Sequence, residues 1–469
     1  MNRFILNAAV LCVFGSSAFS APAKPNIVFF LADDQRFDQM SCAGHPYLKT
    51  PHLDRLAAEG VRFRNAYVTV SLCGPNRACI MTGLYSHANG VRKNWDDVIP
   101  PEIPILPQLL QQEGYESALI GKWHMPDLAQ KRDFDFYFSF KGQGIYFNPK
   151  ILEGARNAIR PEQKFEGHMD DILGDAAVRF LKQKHEKPFI LFVWFKGVHR
   201  PWDPPERYKD LYREEAAKLP EPATFNDDYA GRPEPIRLAK MRVEETKDTT
   251  PWREFVRKHN ATMKGVDDNI GKVLAALDAT GLAKDTMVIH SSDNGFFHGE
   301  HHLFDKRLMY EESVRVPLLV RWPGQAKPGT TVDAPVLSVD HLPAILDAAR
   351  AAGRVPRAAA GRSWLPLLRG ETPKDWRRRW WYEYDEFPDH DHFVRVHRGV
   401  KVEERWKFIV WITDPGGEEL YDLQTDPTEM KNLVNDPGSK DLLARMRKEF
   451  KEAKEEAGDP IEISAMKAW

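Results

Sequence analysis

Short apolar runs rich in Val, Ile and Phe recur along the chain, separated by stretches of helical periodicity. Four of them, NIVFFLA (26–32), ESALIG (116–121), PFILFVWF (188–195) and TMVIHSS (286–292), are continuous enough to predict strands buried on both faces. Between them TPHLDRLAAEG, LPQLLQQEG, DILGDAAVRFLKQKH and MKGVDDNIGKVLAALDATG predict amphipathic helices, several ending in Gly. Strands alternating with helices predict an α/β fold, a large mostly parallel sheet sandwiched by helices. Residues from about 196 to 260 are rich in Pro, Glu and Lys and predict loops with short helices.

Beyond GRSWLPLLRG the period changes. RRWWYEY, HFVRVHRGVKV, WKFIVWI and ELYDL read as short strands with turn residues between them, and SKDLLARMRKEFKEAKEEAG as a charged helix. This predicts a main domain over residues 22–370 and a smaller C-terminal subdomain, antiparallel sheet plus helix, over 371–469. The first residues differ from both. Arg3, an apolar run from Phe4 to Phe14 and the small-residue exit GSSAFSAPA predict a secretory signal over residues 1–21 and a secreted or periplasmic protein. That run is too short for a comfortable membrane span, so no membrane association is expected after its removal. A net charge of −2 gives no support for nucleic-acid binding.

Polar residues fall where the predicted strands end. Asp33 and Asp34 follow the first, Lys122 and His124 the second, His199 the third, Asp293 and Asn294 the fourth. In open α/β sheets ligands bind beyond the carboxyl ends of strands, so one rim gathers all four clusters. Three carboxylates and an amide suit a hard divalent cation, Ca²⁺ ahead of Mg²⁺. Capping and turn formation are the competing structural roles for these residue types. HGEHH brings His298, His301 and His302 close together, but its spacing is not the H-E-x-x-H of zinc enzymes. Lys122, His124, His199 and Lys306 add cationic or switchable groups able to neutralise an oxyanion and protonate a leaving oxygen.

Removal of the signal leaves Cys42, Cys73 and Cys79, of which at least one must stay unpaired. Cys73 opens CGPNR. A thiolate is soft and a poor partner for a hard cation. Three readings are open: a sulfur replaced by oxygen, a thiol nucleophile activated by Arg77 and a helix N-terminus, or an inert buried Cys.

Cys73-Gly74-Pro75-Asn76-Arg77 followed by ACIMTG resembles the first signature of the formylglycine-dependent sulfatases, of the alkaline phosphatase superfamily, in which the Cys of C-x-P-x-R is oxidised to formylglycine. GYESALIGKWH (114–124) resembles their second signature. NIVFFLADDQRFDQM, FKGVHRPW, SDNGFFHGEHHLFDKRLMYEESVRVPLLVRWPG and ELYDLQTDPTEMKNL are similar to further family segments. Two departures stand out: Asn76 replaces the usual Ser, and Trp202 replaces a His found in many relatives.

The resemblance implies that Asp33, Asp34, Asp293 and Asn294 hold the cation, with the modified Cys73 completing its shell. It implies a hydrated aldehyde at residue 73 that attacks sulfur, positioned and activated by Arg77 and His124. Lys122 and Lys306 would bind sulfate oxygens and His199 protonate the departing alcohol. A formylglycine-generating enzyme would be the maturation partner. The segment FPDHDHFVRVHRGVKVEERWKFI resembles the specificity region of carbohydrate sulfatases of the N-acetylglucosamine-6-sulfatase type. His392, Arg395, His397 and Arg398 are therefore candidate contacts to a sulfated carbohydrate substrate, and polar faces of alternating strands are the competing role. A phosphodiesterase or phosphonate monoester hydrolase of the same superfamily, and a non-catalytic sulfated-glycan-binding protein, are the alternative functions.

Overall fold

The computed structural model describes residues 24–468 apart from 96, 127–131, 133, 157, 244–250, 389–391 and 413–415. The expected signal segment 1–21 lies outside the described residues. Strand Asn26–Ala32 runs through the middle of the main sheet, parallel to Phe189–Trp194 on one side and to Thr286–Ser292 on the other. Glu116–Lys122 lies beyond Phe189–Trp194, again parallel, and is followed outward by Phe136–Phe140 and Lys150–Ala155. On the far side Arg315–Arg321 pairs antiparallel with both Thr286–Ser292 and Val61–Tyr67.

Strict alternation explains how the sheet is covered. Ile27, Phe29 and Leu31 enter one hydrophobic cluster and Val28 and Phe30 the other, so the first strand is buried on both faces. Helices Met169–Leu181 and Trp252–Ala279 pack on the second face, bringing Leu173, Phe180, Val266 and Leu274 into contact with it. Cys73–Thr82 and His341–Ala348 cover the first. A four-stranded antiparallel sheet follows, Arg379–Tyr384, His397–Val402, Trp406–Trp411 and Gly417–Asp422, with helix Lys440–Ala457 buried against it through Met446 and Phe450.

The four anticipated core strands and the four C-terminal ones are all present. Val61–Tyr67, Lys150–Ala155 and Arg315–Arg321 were not legible as strands, because charged residues such as Arg62, Arg64, Lys150, Glu153 and Arg315 break or bound the apolar pattern, and the short aromatic run Phe136–Phe140 was missed as well. The long helix starts at Trp252 rather than at MKGV, and so takes in the end of the segment expected to be loop. Cys42, Cys73 and Cys79 are all free.

Close approach of two strand ends depends on one glycine. Gly121 has φ 118°, and a Cβ there would lie 1.8 Å from the Trp194 carbonyl oxygen. Without a side chain, Glu116–Lys122 turns against Phe189–Trp194 and delivers Lys122 to the rim. Gly121→Ala is expected to destabilise the protein by about 3 kcal/mol or more, read as a fall in denaturant midpoint.

Candidate active site

The strand ends meet as charge. The backbone N–H of Asp33 donates to the Gly197 carbonyl at 2.9 Å and that of Val198 returns to the Asp33 carbonyl at 2.7 Å, locking the ends of two neighbouring strands together. Asp34 then turns through a left-handed conformation, φ 72°, and its N–H donates to Asp293 Oδ1 at 3.1 Å. Asn294 donates its amide to Asp34, while its own Oδ1 is buried without a hydrogen-bond partner. The ligand atoms of Asp33, Asp34, Cys73 and Asp293 all lie within 4.8 Å of one another, every one of them buried.

Cys73 is the first residue of helix Cys73–Thr82, whose ten residues are all buried and which ends at the left-handed Gly83. Its Sγ donates to Asp33 Oδ1 at 3.5 Å. One turn later Arg77 sends Nε and Nη2 to Asp293 Oδ2, at 2.9 and 2.7 Å, and Nη1 to the Lys122 carbonyl at 2.7 Å. Asn76, at the departure from Ser, donates Nδ2 to the Asp293 carbonyl at 2.6 Å. Asn94 accepts from the Gly74 N–H at 2.9 Å and so fixes the helix start from the opposite side.

Cations answer the carboxylates. Lys122 Nζ donates to Asp33, and Lys306 Nζ donates to both oxygens of Asp34 at 2.6 and 2.8 Å. Burial pushes Asp33 upward, but the combined fields of Lys122, His199, Arg77 and Lys306 hold it well below the usual carboxylate range. Asp293 goes the other way, to about 7, because burial and the neighbouring Asp33 charge outweigh Arg77. Burial likewise raises Asp34 and keeps the Cys73 thiol protonated. A neutral buried thiol is a poor nucleophile.

His199 directs Nε2 toward Asp34 Oδ2 at 3.9 Å, and Nδ1 donates to the Arg200 carbonyl at 2.8 Å. The His124 backbone lies beside Gly74, its ring meets Trp95 edge-on at 5.0 Å, and both ring nitrogens are buried and unpartnered. Burial lowers both imidazoles well below histidine's ordinary value, and the charge of Lys122 contributes to each. The ten candidate residues of the rim, Asp33, Asp34, Cys73, Arg77, Lys122, His124, His199, Asp293, Asn294 and Lys306, thus occupy one neighbourhood.

A cleft of about 300 Å³ opens onto Cys73, His199 and Lys306. Of the proposed sugar contacts only His392 lines it, with Nε2 bonded to Asp305 at 2.9 Å. His397 is corrected to a core residue: it is stacked among Tyr382, Tyr384 and Trp411 and pushed down to about 3 by burial. Arg395 also leaves the cleft, its guanidinium lying over Phe387 and Phe393 at 4.6 and 5.2 Å. Arg398 is spent on Asp385 and Asp459. The resemblance to a specificity segment misled here: His397 and Arg398 are strand residues buried among their own neighbours, and Arg395 packs on aromatic rings of the preceding connection.

Several lining residues had escaped sequence reasoning: Asn94, Trp95, Arg200, Asp305, Arg307 and Glu386. Glu386 accepts from the Asn94 N–H at 2.8 Å, and Arg307 donates to Asp305 at 2.7 Å. The two flanks of Lys306 in FDKR were the available signal for Asp305 and Arg307. Of the HGEHH histidines, His301 bonds Asp227 and His302 the Phe225 carbonyl, while His298 packs against His259. Trp202 is buried against Phe255 and Phe296 in a small apolar cluster and does not line the cleft.

The donor set fits a hard cation: three carboxylates converge with the unpartnered Asn294 Oδ1, and no imidazole stands among these four residues. This arrangement of oxygen donors, cations and a cysteine at a helix start is the one the sulfatase pattern requires, and the chain belongs to the sulfatase family, whose profile matches residues 25–351. It is accordingly an enzyme, a sulfuric ester hydrolase. A second profile, N-sulphoglucosamine sulphohydrolase, C-terminal, matches residues 299–456. The chain is 34% identical to an N-acetylglucosamine-6-O-sulfatase of Bacteroides thetaiotaomicron, over 92% of this chain and 86% of the relative. It is 28% identical to the N-acetylglucosamine-6-sulfatase of Capra hircus, over 93% and 84% respectively. A protein solved in complex with its substrate D-glucosamine-2-N,6-O-disulfate superposes with a TM-score of 0.85 at 33% identity, covering 93% of this chain and 99% of that one.

Cation binding displaces protons from raised carboxylates. With Asp293 near 7, the proton competes below neutrality, so affinity for a divalent cation rises from pH 6 to pH 8. Calorimetric titration of chelator-treated protein is expected to show about a tenfold gain per pH unit at the acidic end, flattening above pH 8.

Proposed function

We propose that this protein is an exported carbohydrate sulfatase that removes a 6-O-sulfate from a glucosamine-type residue, using a formylglycine made from Cys73 and a calcium-class cation. The observation that carries the reading is the cluster of Asp33, Asp34, Asp293 and residue 73 at the floor of the cleft. The named activities of the relatives support the sugar and the position of the ester.

The Cys73 Sγ stands in for the oxygens of the hydrated aldehyde. When present, that group supplies a nucleophilic oxygen whose partner hydroxyl gives a route for sulfate release, and the cation polarises the sulfate oxygens. Asp33, Asp34, Asp293 and Asn294 would hold the cation. Arg77 holds Asp293 and the Lys122 backbone, so the charge behind residue 73 cannot drift. Lys122 and Lys306 are placed to neutralise sulfate oxygens. His124 offers residue 73 an imidazole whose nitrogens have no other engagement. Burial keeps the free His199 ring neutral with its proton on Nδ1 against a carbonyl; on taking up a second proton alongside the anionic ester, the imidazolium presents Nε2–H to the departing sugar oxygen and donates that proton there.

The cleft has the charge of an anion receptor. Lys93, Arg200, Lys306 and Arg307 outnumber Asp305 and Glu386 along its wall. Arg200 approaches Asp305 no closer than 3.9 Å, which leaves its donors available to a ligand. Trp95, 57% exposed, gives the rim an apolar face suited to a sugar ring. The segment 1–21 and the export it encodes complete the reading.

Mass spectrometry of the residue-73 peptide from protein made in its native host is expected to show loss of the thiol mass in favour of the aldehyde. A panel of 6-O-, 4-O- and 2-O-sulfated sugars with phenyl phosphonate is expected to give turnover on the 6-O-sulfated glucosamines. An unaltered thiol in active protein overturns the nucleophile, and preferential cleavage of the phosphonate overturns the substrate. Arg200→Ala is expected to raise KM for the preferred sugar sulfate by about tenfold with a smaller change in kcat, the pattern of a lost ground-state contact.

A further inference from the structure

One buried cation beside the reacting centre has no part in the scheme above. Lys196 follows strand Phe189–Trp194 and is only 1% exposed. Its ammonium stands over the Tyr146 ring, 4.5 Å from the centroid, and donates to the Arg200 carbonyl at 3.4 Å. That same oxygen accepts Nδ1–H of His199 at 2.8 Å. A carbonyl has two lone pairs and can serve both donors at once. Tyr146 closes the arrangement by donating its hydroxyl to the His199 carbonyl at 2.5 Å.

The turn between the two residues is held at its other end as well. The His199 N–H donates to the Lys196 carbonyl at 3.1 Å, and Asp170 Oδ1 accepts from the Lys196 and Gly197 N–H groups at 3.0 and 3.2 Å. Every bond named here bears on the five residues that carry the imidazole. Without the ammonium the Arg200 carbonyl would keep only the His199 Nδ1–H, and the carbonyl and ring would lose the tie that anchors them to the Tyr146 wall.

We infer that Lys196 is a positioning residue for the sulfatase reaction: it pins the Arg200 carbonyl, which in turn fixes the aim of His199 Nε2. The inference rests on the proton-donor role given to His199 above. Its consequence is selective. An ester with a poor leaving group, such as a sugar sulfate, needs the proton as its C–O oxygen departs. An aryl sulfate with an acidic phenol, such as 4-nitrophenyl sulfate, departs as the phenolate and needs it far less.

The test compares both substrates in the mature full-length enzyme. Lys196→Met keeps the unbranched stem over Tyr146 and removes only the donor. It is expected to lower kcat/KM on the 6-O-sulfated sugar by ~10- to 100-fold, and by at least tenfold less on 4-nitrophenyl sulfate. Lys196→Arg, which restores a cationic donor, recovers most of the loss. On a His199→Ala background Lys196→Met should cost under about threefold more, since both act through one proton transfer. Equal losses on both substrates, no rescue by Arg, or full additivity on the His199→Ala background would each overturn the inference. If His199→Ala itself lowers both substrates alike, the proton-donor role fails and the inference with it. Failure of the wild-type enzyme on every 6-O-sulfated sugar would instead sink the substrate assignment; Lys196→Met is then compared on whichever sulfate ester of an alcohol the enzyme cleaves.

Discussion

Three carboxylates withdrawn from water within a few ångströms of one another are the constraint around which this molecule is arranged. Isolated buried carboxylates are costly, and like charges side by side more so. The fold answers with one cation for each: Lys122 on Asp33, Lys306 on Asp34 and Arg77 on Asp293. Those cations come from a strand end, a loop and a buried helix, so the electrostatic balance of the site requires the whole α/β layer to be assembled. Arg77 has a double duty, because its third nitrogen reaches the Lys122 backbone and couples two of the three pairs.

The same constraint explains why Cys73 lies where it does. It begins a helix that is buried over its full length, with its thiol in contact with Asp33 and its backbone gripped by Asn94. In that setting sulfur is kept protonated, and the oxygen-donor neighbours are matched to a hard cation rather than to a thiolate.

Much of this was legible in the chain. The parallel core announces itself through uninterrupted apolar runs, and strand termini are where an α/β sheet displays its polar residues, so Asp33, Asp34, Lys122, His124, His199, Asp293 and Asn294 follow from position alone. Strands away from the parallel centre, such as Val61–Tyr67, did not, since one face carries arginines and breaks the apolar run. The cleft wall was the least legible part. His397 and His392 sit five residues apart with similar chemistry, yet one is enclosed by aromatic rings and the other meets Asp305. Which of the two is enclosed is decided by the neighbouring strands, through Tyr382, Tyr384 and Trp411, and by Asp305 across the cleft, and the segment's own pattern does not encode it.

Glu386 and His392 reach the cleft from the connection between two strands of the small antiparallel sheet, whereas the nucleophile and the carboxylates belong to the large parallel one. The small sheet therefore adds one connecting segment to a cleft otherwise built by the large one, a division of the lining and not of the core, where Trp380, Tyr382 and Tyr421 pack with the large sheet. Such a division lets one connecting segment be rewritten, by drift or by an engineer, to admit a different glycan while the chemical machinery beneath stays as it was.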